Sequence, residues 1–262
     1  MPAPALSVKN LALTHAGRQL VHPLTFTIQW AESVALLGAS GSGKSLTASA
    51  LTGTVPEGIT ASGEISLGTA FRPGDCGSAE GNAGAALISQ DSQTSLNPLV
   101  PVGKQLVIPL RRAGLSRTEA RREAALLLAQ AGIDDPATIL PRYTGELSGG
   151  QLQRVCIALA LACRTEVLVA DEPTTALDAV TRHTVLASLR SWVSKGRTLL
   201  FITHDLAAAA ALCNRALVME GGHVVEDAPM AELLLNPRHP YTKRLVHAAS
   251  AAPPHAGTAV AA

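Results

Sequence analysis

The run Val34-Ala-Leu-Leu-Gly-Ala-Ser-Gly-Ser-Gly-Lys-Ser-Leu-Thr47 decides how the rest of the chain is read. Val34 to Leu37 is a short apolar stretch of the kind that forms a buried strand. Gly38, Ala39, Ser40, Gly41, Ser42 and Gly43 follow, then Lys44 and Ser45, and a helix-compatible run begins at Leu46. Strand, glycine-rich loop and helix in that order make the phosphate-binding P-loop pattern, with Gly38 and Gly43 at its spacing and Lys-Ser directly after. The glycines let the backbone wrap closely, so that successive N–H groups point at phosphate oxygens. The helix start adds a partial positive charge. Lys44 is expected to reach the β- and γ-phosphates and the Ser45 hydroxyl to help hold Mg²⁺. The phosphate contacts are therefore expected to run from Gly38 to Leu46.

At 262 residues the chain can bury a full core as one large α/β domain, alone or with a subdomain. With 21 basic against 20 acidic residues it has no electrostatic footprint for nucleic acid or an anionic membrane. Its longest uncharged apolar runs, Val155 to Cys163 and Leu206 to Cys213, fall far short of the roughly 18 residues of a spanning helix. Residues Met1 to Ser7 lack the basic and apolar regions of a signal peptide. Cys76, Cys156, Cys163 and Cys213 show no CxxC spacing, and Cys156 and Cys163 read as small core residues on a helix. A reducing compartment fits that usage.

Ala5 to Asn10, Leu24 to Ile28 and Gly63 to Leu67 read as short strands, the first two in an antiparallel sheet beside the nucleotide core. Thr69 to Gly84, rich in Gly, Asp, Asn and Ser, reads as a surface loop. Ala85 to Gln90 returns to strand. Ser116-Arg-Thr-Glu119 and Ser148-Gly-Gly-Gln151 are capping boxes that open helices. About residues 92–163 thus form a helical subdomain inserted in the core. The α/β pattern resumes with a strand at Glu166 to Ala170, a helix capped by Asp178 and a strand at Thr198 to Ile202. A hairpin follows around Gly221-Gly222, then helices at Met230 to Leu235 and about Pro240 to Ala248. The Ala/Pro tail at 249–262 is expected to be disordered.

Asp171-Glu172 ends an apolar strand, the Walker B pattern. Asp171 is placed to hold Mg²⁺ and Glu172 to polarise the attacking water. In Glu146-Leu-Ser-Gly-Gly-Gln-Leu-Gln-Arg154, the Ser148 side chain and the N–H groups of Gly149 and Gly150 form a second phosphate-binding surface at a helix start. One γ-phosphate does not need two such surfaces in one chain. A head-to-tail dimer does.

This segment resembles the signature sequence of ATP-binding cassette (ABC) ATPases, and the other motifs of that family occur in order over about residues 5–248. The resemblance implies the ABC ATPase fold: a RecA-like P-loop core of α/β class, with an antiparallel β-subdomain and an inserted helical subdomain, spanning 1–248. It implies ATP and Mg²⁺ as ligands. Gln90 matches the Q-loop glutamine that senses Mg²⁺ and water. Leu147, Ser148, Gly149, Gly150 and Gln151 match the surface that closes over the partner's ATP. Ala176, Leu177 and Asp178 match the D-loop at the dimer interface. His204 in Phe201-Ile-Thr-His-Asp205 matches the switch histidine, which joins Glu172 and Gln90 as catalytic residues. His15 stands where the family usually has an aromatic residue stacked on adenine.

Gln90-Asp-Ser-Gln-Thr-Ser-Leu-Asn-Pro98 and Asn236-Pro-Arg-His-Pro-Tyr-Thr-Lys-Arg-Leu245 resemble segments of the peptide/nickel importer ATPases. The resemblance is nearest the nickel-importer ATPase on Leu20-Val-His-Pro-Leu24, Gly43-Lys-Ser-Leu-Thr47 and the absence of a cysteine beyond Cys213. This implies import of nickel or a nickel/cobalt–chelator complex, with a di- or oligopeptide importer as the alternative. It implies a second, non-identical ATPase subunit, two transmembrane permeases and an extracytoplasmic solute-binding protein as partners. No nucleic acid is implied, and the place is peripheral, on the cytoplasmic face of the inner membrane. A stand-alone regulatory ATPase is the more distant alternative.

Overall fold

The computed structural model describes residues 3–68, 84–175 and 177–251. The chain begins with two antiparallel strands, β1 (Leu6–His15) and β2 (Arg18–Ile28), joined at Ala16-Gly17. The strands expected at Ala5–Asn10 and Leu24–Ile28 are the buried inner parts of this hairpin. Its outer end, with His15, Arg18 and Gln19 exposed, has no apolar alternation to announce it. Strand β3 (Ser33–Gly38) is wholly buried, and α1 (Lys44–Leu51) leaves it through the P-loop. Strand β4 (Ile59–Leu67) completes a three-stranded sheet in the order β2-β1-β4. It starts before the expected Gly63 because its first half is exposed edge, so its pattern is polar.

After β5 (Ala85–Ile88), residues 91–100 form turns rather than helix. Then come α2 (Val102–Arg112), α3 (Arg117–Gln130), α4 (Pro136–Ile139), a single 3-10 turn at Thr144–Glu146 and α5 (Gly149–Ala162). Helix α2 was not legible as a separate element because Pro109 lies inside it. Both expected capping boxes are made. Ser116 Oγ accepts from Glu119 N while a Glu119 carboxylate oxygen accepts from Ser116 N, and Ser148 and Gln151 repeat the exchange.

The remainder alternates: β6 (Val167–Asp171), α6 (Ala179–Val193), β7 (Thr198–Thr203), α7 (Leu206–Leu212), β8 (Arg215–Glu220), β9 (His223–Pro229), α8 (Met230–Leu235) and α9 (Pro240–Ala251). Helix α7 follows the switch segment and was not foreseen, since it carries five alanines and no periodicity. The large sheet runs β5-β6-β7-β3-β8-β9, parallel except for the β8-β9 hairpin that turns at Gly221-Gly222 as expected. Strand β3 lies between β7 and β8, so the chain leaves it at the point where strand order reverses. Parallel sheets open a ligand crevice at such a point. Val34, Leu36, Leu200 and Leu217 pack toward the small sheet, while Ala35, Leu37, Leu199 and Phe201 pack toward the helices. The P-loop is thus anchored in a strand buried on both faces.

The loop expected at 69–84, with Cys76, falls outside the described residues except for Gly84. So do Ala176 of the expected D-loop and the tail from residue 252.

Candidate active site

The cleft at the carboxyl end of β3 holds about 530 Å³ and is lined by Leu20, the P-loop residues Ser40, Gly41, Gly43, Lys44, Ser45 and Leu46, and by Gln90, Glu172, Thr175 and His204. The loop is tightly built. A Cβ on Gly38 would lie 2.4 Å from the Met219 carbonyl oxygen and 2.7 Å from Ser42 Oγ, so β8 leaves room only for glycine. Gly43 has φ +101° and takes the N-cap position of α1, aiming the first N–H groups of the helix at the cleft. Lys44 is buried, and its ammonium donates to the carbonyls of Gly38 at 2.9 Å and Ala39 at 2.8 Å. Burial lowers its pKa, while the negative charges of Glu172 and Asp171 oppose that shift. Gly222 N donates to the Ser42 carbonyl and His22 N to the Gly222 carbonyl, so the β8-β9 turn straps the loop to β2.

Asp171 ends β6 beneath the loop and is 4% exposed. Burial raises its pKa, and a Ser45 hydroxyl hydrogen bond only partly offsets this; the Glu172 charge adds to the rise and Lys44 opposes it. Its Oδ1 has no hydrogen-bond partner, and neither has the buried Ser42 Oγ. Orphaned buried oxygens are rare unless a ligand or ion satisfies them. Ser45, Asp171 and Gln90 offer hydroxyl, carboxylate and amide oxygens, the hard donors a Mg²⁺ ion takes. The residues present fit a magnesium-bound triphosphate.

Glu172 has φ +49°, an uncommon conformation for a non-glycine residue. Its carboxylate accepts from His204 N at 3.1 Å and Thr175 Oγ1 at 2.7 Å, and lies 2.7 Å from His204 Nδ1. A carboxylate only accepts, so that contact puts the proton on Nδ1. Thr203 Oγ1 adds a longer bond at 3.4 Å. The Glu172 side chain is buried at 8% exposure, whereas that of His204 is 62% exposed and faces the cleft. Gln90 stands across from them, two residues past β5.

Not every expected residue meets here. Gly38, Ser42 and Asp171 are buried behind the cleft rather than lining it, and Ala39 is exposed outside its lining. Leu147 through Gln151 lie elsewhere, at the exposed N-terminus of α5, with open space around Gly149. Leu177 is buried, and Asp178 caps α6, accepting from Thr181 N at 2.9 Å. His15 is exposed at the end of β1 and lies over Gly58, not on the cleft wall. Three neighbours were not foreseen. Thr175 and Leu20 line the cleft, and Gln153 is buried with its Nε2 donating to the Glu172 carbonyl at 3.2 Å. Thr175 belongs to the Thr174–Asp178 stretch that resembles the D-loop, and its contact with Glu172 is what the sequence does not announce.

The model of the ABC transporter family matches residues 21–175. The oligopeptide transport ATP-binding protein AppD of Bacillus subtilis (strain 168) is 39% identical over 234 residues, covering 86% of this chain and 71% of that protein. The glutathione import ATP-binding protein GsiA of Escherichia coli (strain K12) is 39% identical over 261 residues; the alignment takes in 93% of this chain but only 42% of GsiA's length. Among solved structures, the dimeric post-hydrolysis ATP-binding cassette MJ0796 bound to ADP and Pi superposes with a TM-score of 0.74 at 26% identity, over 86% of this chain and 98% of that one. The fold is that of the ABC ATPases, as the cleft, the two sheets and the helices between β5 and β6 already indicate. The chain belongs to the ABC transporter family, as an ATP-binding cassette whose ATP hydrolysis is coupled to transport.

Proposed function

We propose that this chain is the ATP-hydrolysing subunit of a multi-subunit importer for small peptides. Its relatives AppD and GsiA are named for oligopeptide transport and glutathione import, and they favour the peptide alternative over the nickel importer expected from Leu20–Leu24 and Cys213. That expectation leaned on short stretches remote from any solute.

The observation that carries the mechanism is the separation of two phosphate-binding surfaces in one chain. The P-loop cleft holds Lys44 and Glu172, while the capped start of α5 is exposed and lines no part of it. Each is half a site, and two cassettes head to tail complete both. ATP draws them together, with Ser148, Gly149 and Gly150 of each meeting the γ-phosphate held by the other's P-loop. Leu177 and Asp178 lie along that interface.

In the closed site Lys44 leaves the Gly38 and Ala39 carbonyls for the β- and γ-phosphates. Ser45, Gln90 and Asp171 would hold Mg²⁺, which when bound would neutralise phosphate charge. Glu172 takes a proton from water as its oxygen attacks the γ-phosphorus and the bond to the β-phosphate oxygen breaks. His204, its Nδ1–H on Glu172, keeps the carboxylate aimed. Inorganic phosphate and ADP leave, and the dimer opens.

Helical residues 92–163 move with closure, and Gln90 links them to the core. Leu99 and Tyr143 are large side chains exposed in this region, the kind of surface on which a permease would press. The partners are a second cassette, two permeases and a solute-binding protein, placing the chain on the cytoplasmic face of the membrane; among the described residues no helix is long and apolar enough to cross one. Reconstitution with the permeases tests the solute: ATP-driven uptake of di- and tripeptides is expected. Uptake of Ni²⁺ without peptide would overturn the peptide assignment.

A further inference from the structure

Gln153 takes no part in the cleft, yet it is 4% exposed and sits one turn into α5 from the cap Ser148. Its amide Nε2 donates to the main-chain carbonyl of Glu172 at 3.2 Å. On the other side of the same residue, Glu172 N donates to the Ile202 carbonyl at 2.9 Å. Between these two bonds the backbone of Glu172 holds φ +49°. Such a conformation persists only where the surroundings over-determine it. Here the amide side is fixed by β7, and the carbonyl side by Thr175 N at 3.3 Å in the turn that follows and by one side chain from another element, Gln153 of α5.

We infer that Gln153 is a positioning residue for the hydrolytic base, holding Glu172 in its left-handed backbone conformation and making the aim of its carboxylate depend on where α5 stands. The inference rests on the reading of Glu172 as the base and of Ser148 to Gln151 as the surface offered to the partner's ATP. Under that reading one rigid helix touches both sites of the dimer. Its N-terminus meets the partner's nucleotide, and one turn later it grips the backbone that carries this chain's own base. Engagement at one site thereby sets the geometry of hydrolysis at the other. Gln153 is suited to this. A neutral amide reaching a buried carbonyl adds no charge beside Asp171 and Glu172, and its hydrogen bond fails if the helix shifts by an ångström or so.

Steady-state and single-turnover ATP hydrolysis by Gln153→Met and Gln153→Glu tests this, with Glu172→Gln measured alongside. Met keeps the volume and removes the donor. It is expected to lower kcat about tenfold, as for loss of one hydrogen bond that holds the transition-state geometry, with the KM for ATP within about twofold of wild type. Gln153→Glu removes the donor while ionised but restores an O–H donor when protonated, and burial raises its pKa. Its kcat relative to wild type is therefore expected to climb as pH falls from 8 to 6, while the Met ratio stays flat. A packing role alone leaves the kcat of the volume-matched Met variant at the wild-type value.

Wild-type kcat in Gln153→Met, or a Glu ratio as flat as the Met ratio, overturns the inference. Wild-type turnover in Glu172→Gln removes the base itself and the inference with it. An inactive Glu172→Gln beside a fully active Gln153→Met removes the inference alone. If Gln153→Met fails to fold, Gln153→Leu, which also lacks the donor, carries the same kcat and KM measurement.

Discussion

Replacing Asp171 by Asn should make the nucleotide-free protein more stable and the loaded one less so. In the fold the carboxylate is 4% exposed with Oδ1 unpartnered, so folding strips water from a charge that only the Ser45 hydroxyl and Lys44 compensate. An unsatisfied buried polar group costs about 1–3 kcal/mol. Lys44 loses an attraction in the variant, which cancels part of the relief and leaves a net gain of about 1 kcal/mol. For a domain of this size that raises Tm by roughly 2–4 °C. Wild-type protein with Mg²⁺ and ATP at a hundred times Kd gains about 2.7 kcal/mol, or roughly 5–10 °C. The variant should lose most of that gain, because the carboxylate that suits the cation is gone. Thermal melting of both proteins with EDTA, with ATP and EDTA, and with ATP and Mg²⁺ measures every quantity. The two stability orders should cross. A variant less stable than wild type in EDTA would show that the orphaned carboxylate is no burden. A Mg²⁺-dependent rise in the variant equal to that of wild type would show that Asp171 does not hold the cation.

Glu172→Gln should bind ATP normally, lower kcat by about 10²–10⁴-fold and accumulate as an ATP-bound dimer on size-exclusion chromatography; a monomer turning over at the wild-type rate would refute the assignment of the base. The Glu226 carboxylate accepts from Arg238 N at 3.0 Å and His239 N at 2.9 Å. Burial disfavours its charge, but the N–H bonds from Arg238 and His239 and the Arg238 charge oppose that, and its pKa is lowered. A lowered folded pKa gives stability that is present above the ordinary glutamate range and lost as pH falls below it. Glu226→Gln should accordingly cost about 1–2 kcal/mol at pH 7 and approach zero near pH 3, read from urea titrations at each pH. His15→Ala should leave the ratio of ATP to GTP hydrolysis within about twofold, since the imidazole lies over Gly58; a larger change would put that ring on the base.

Local chemistry made much of this molecule legible before its structure. Gly38, Gly43, Lys44 and Ser45 are read at sight because a phosphate cradle needs a backbone turn, a cation and a hydroxyl in one short stretch. Both capping boxes are equally local, each exchange closing within three residues. Contacts between distant segments stayed hidden. Nothing in Leu152-Gln-Arg154 says that Gln153 reaches Glu172, because that meeting depends on how α5 packs against β5, the neighbour of β6. Helix α2 escaped for the opposite reason, its local signal being spoiled by Pro109 although its tertiary contacts hold it in shape. The solute read least well of all, since a subunit that never touches its cargo is under no physical pressure to record it.

The left-handed backbone of Glu172 bears on how this cassette can change over generations. A glutamate there holds strain of about 1–3 kcal/mol, which Asn or Gly would largely relieve. The relieved strain offsets the bonds from His204 and Thr175 that such a change gives up, so losing the base costs the fold little. Mutation alone drifts toward copies that bind ATP and dimerise but do not turn over, and only selection for turnover holds the glutamate in place. In an assembly of two different cassettes one subunit could decay in this way while the other continued to fire. Such a silent partner would be recognised by the residue at position 172 before any assay was run.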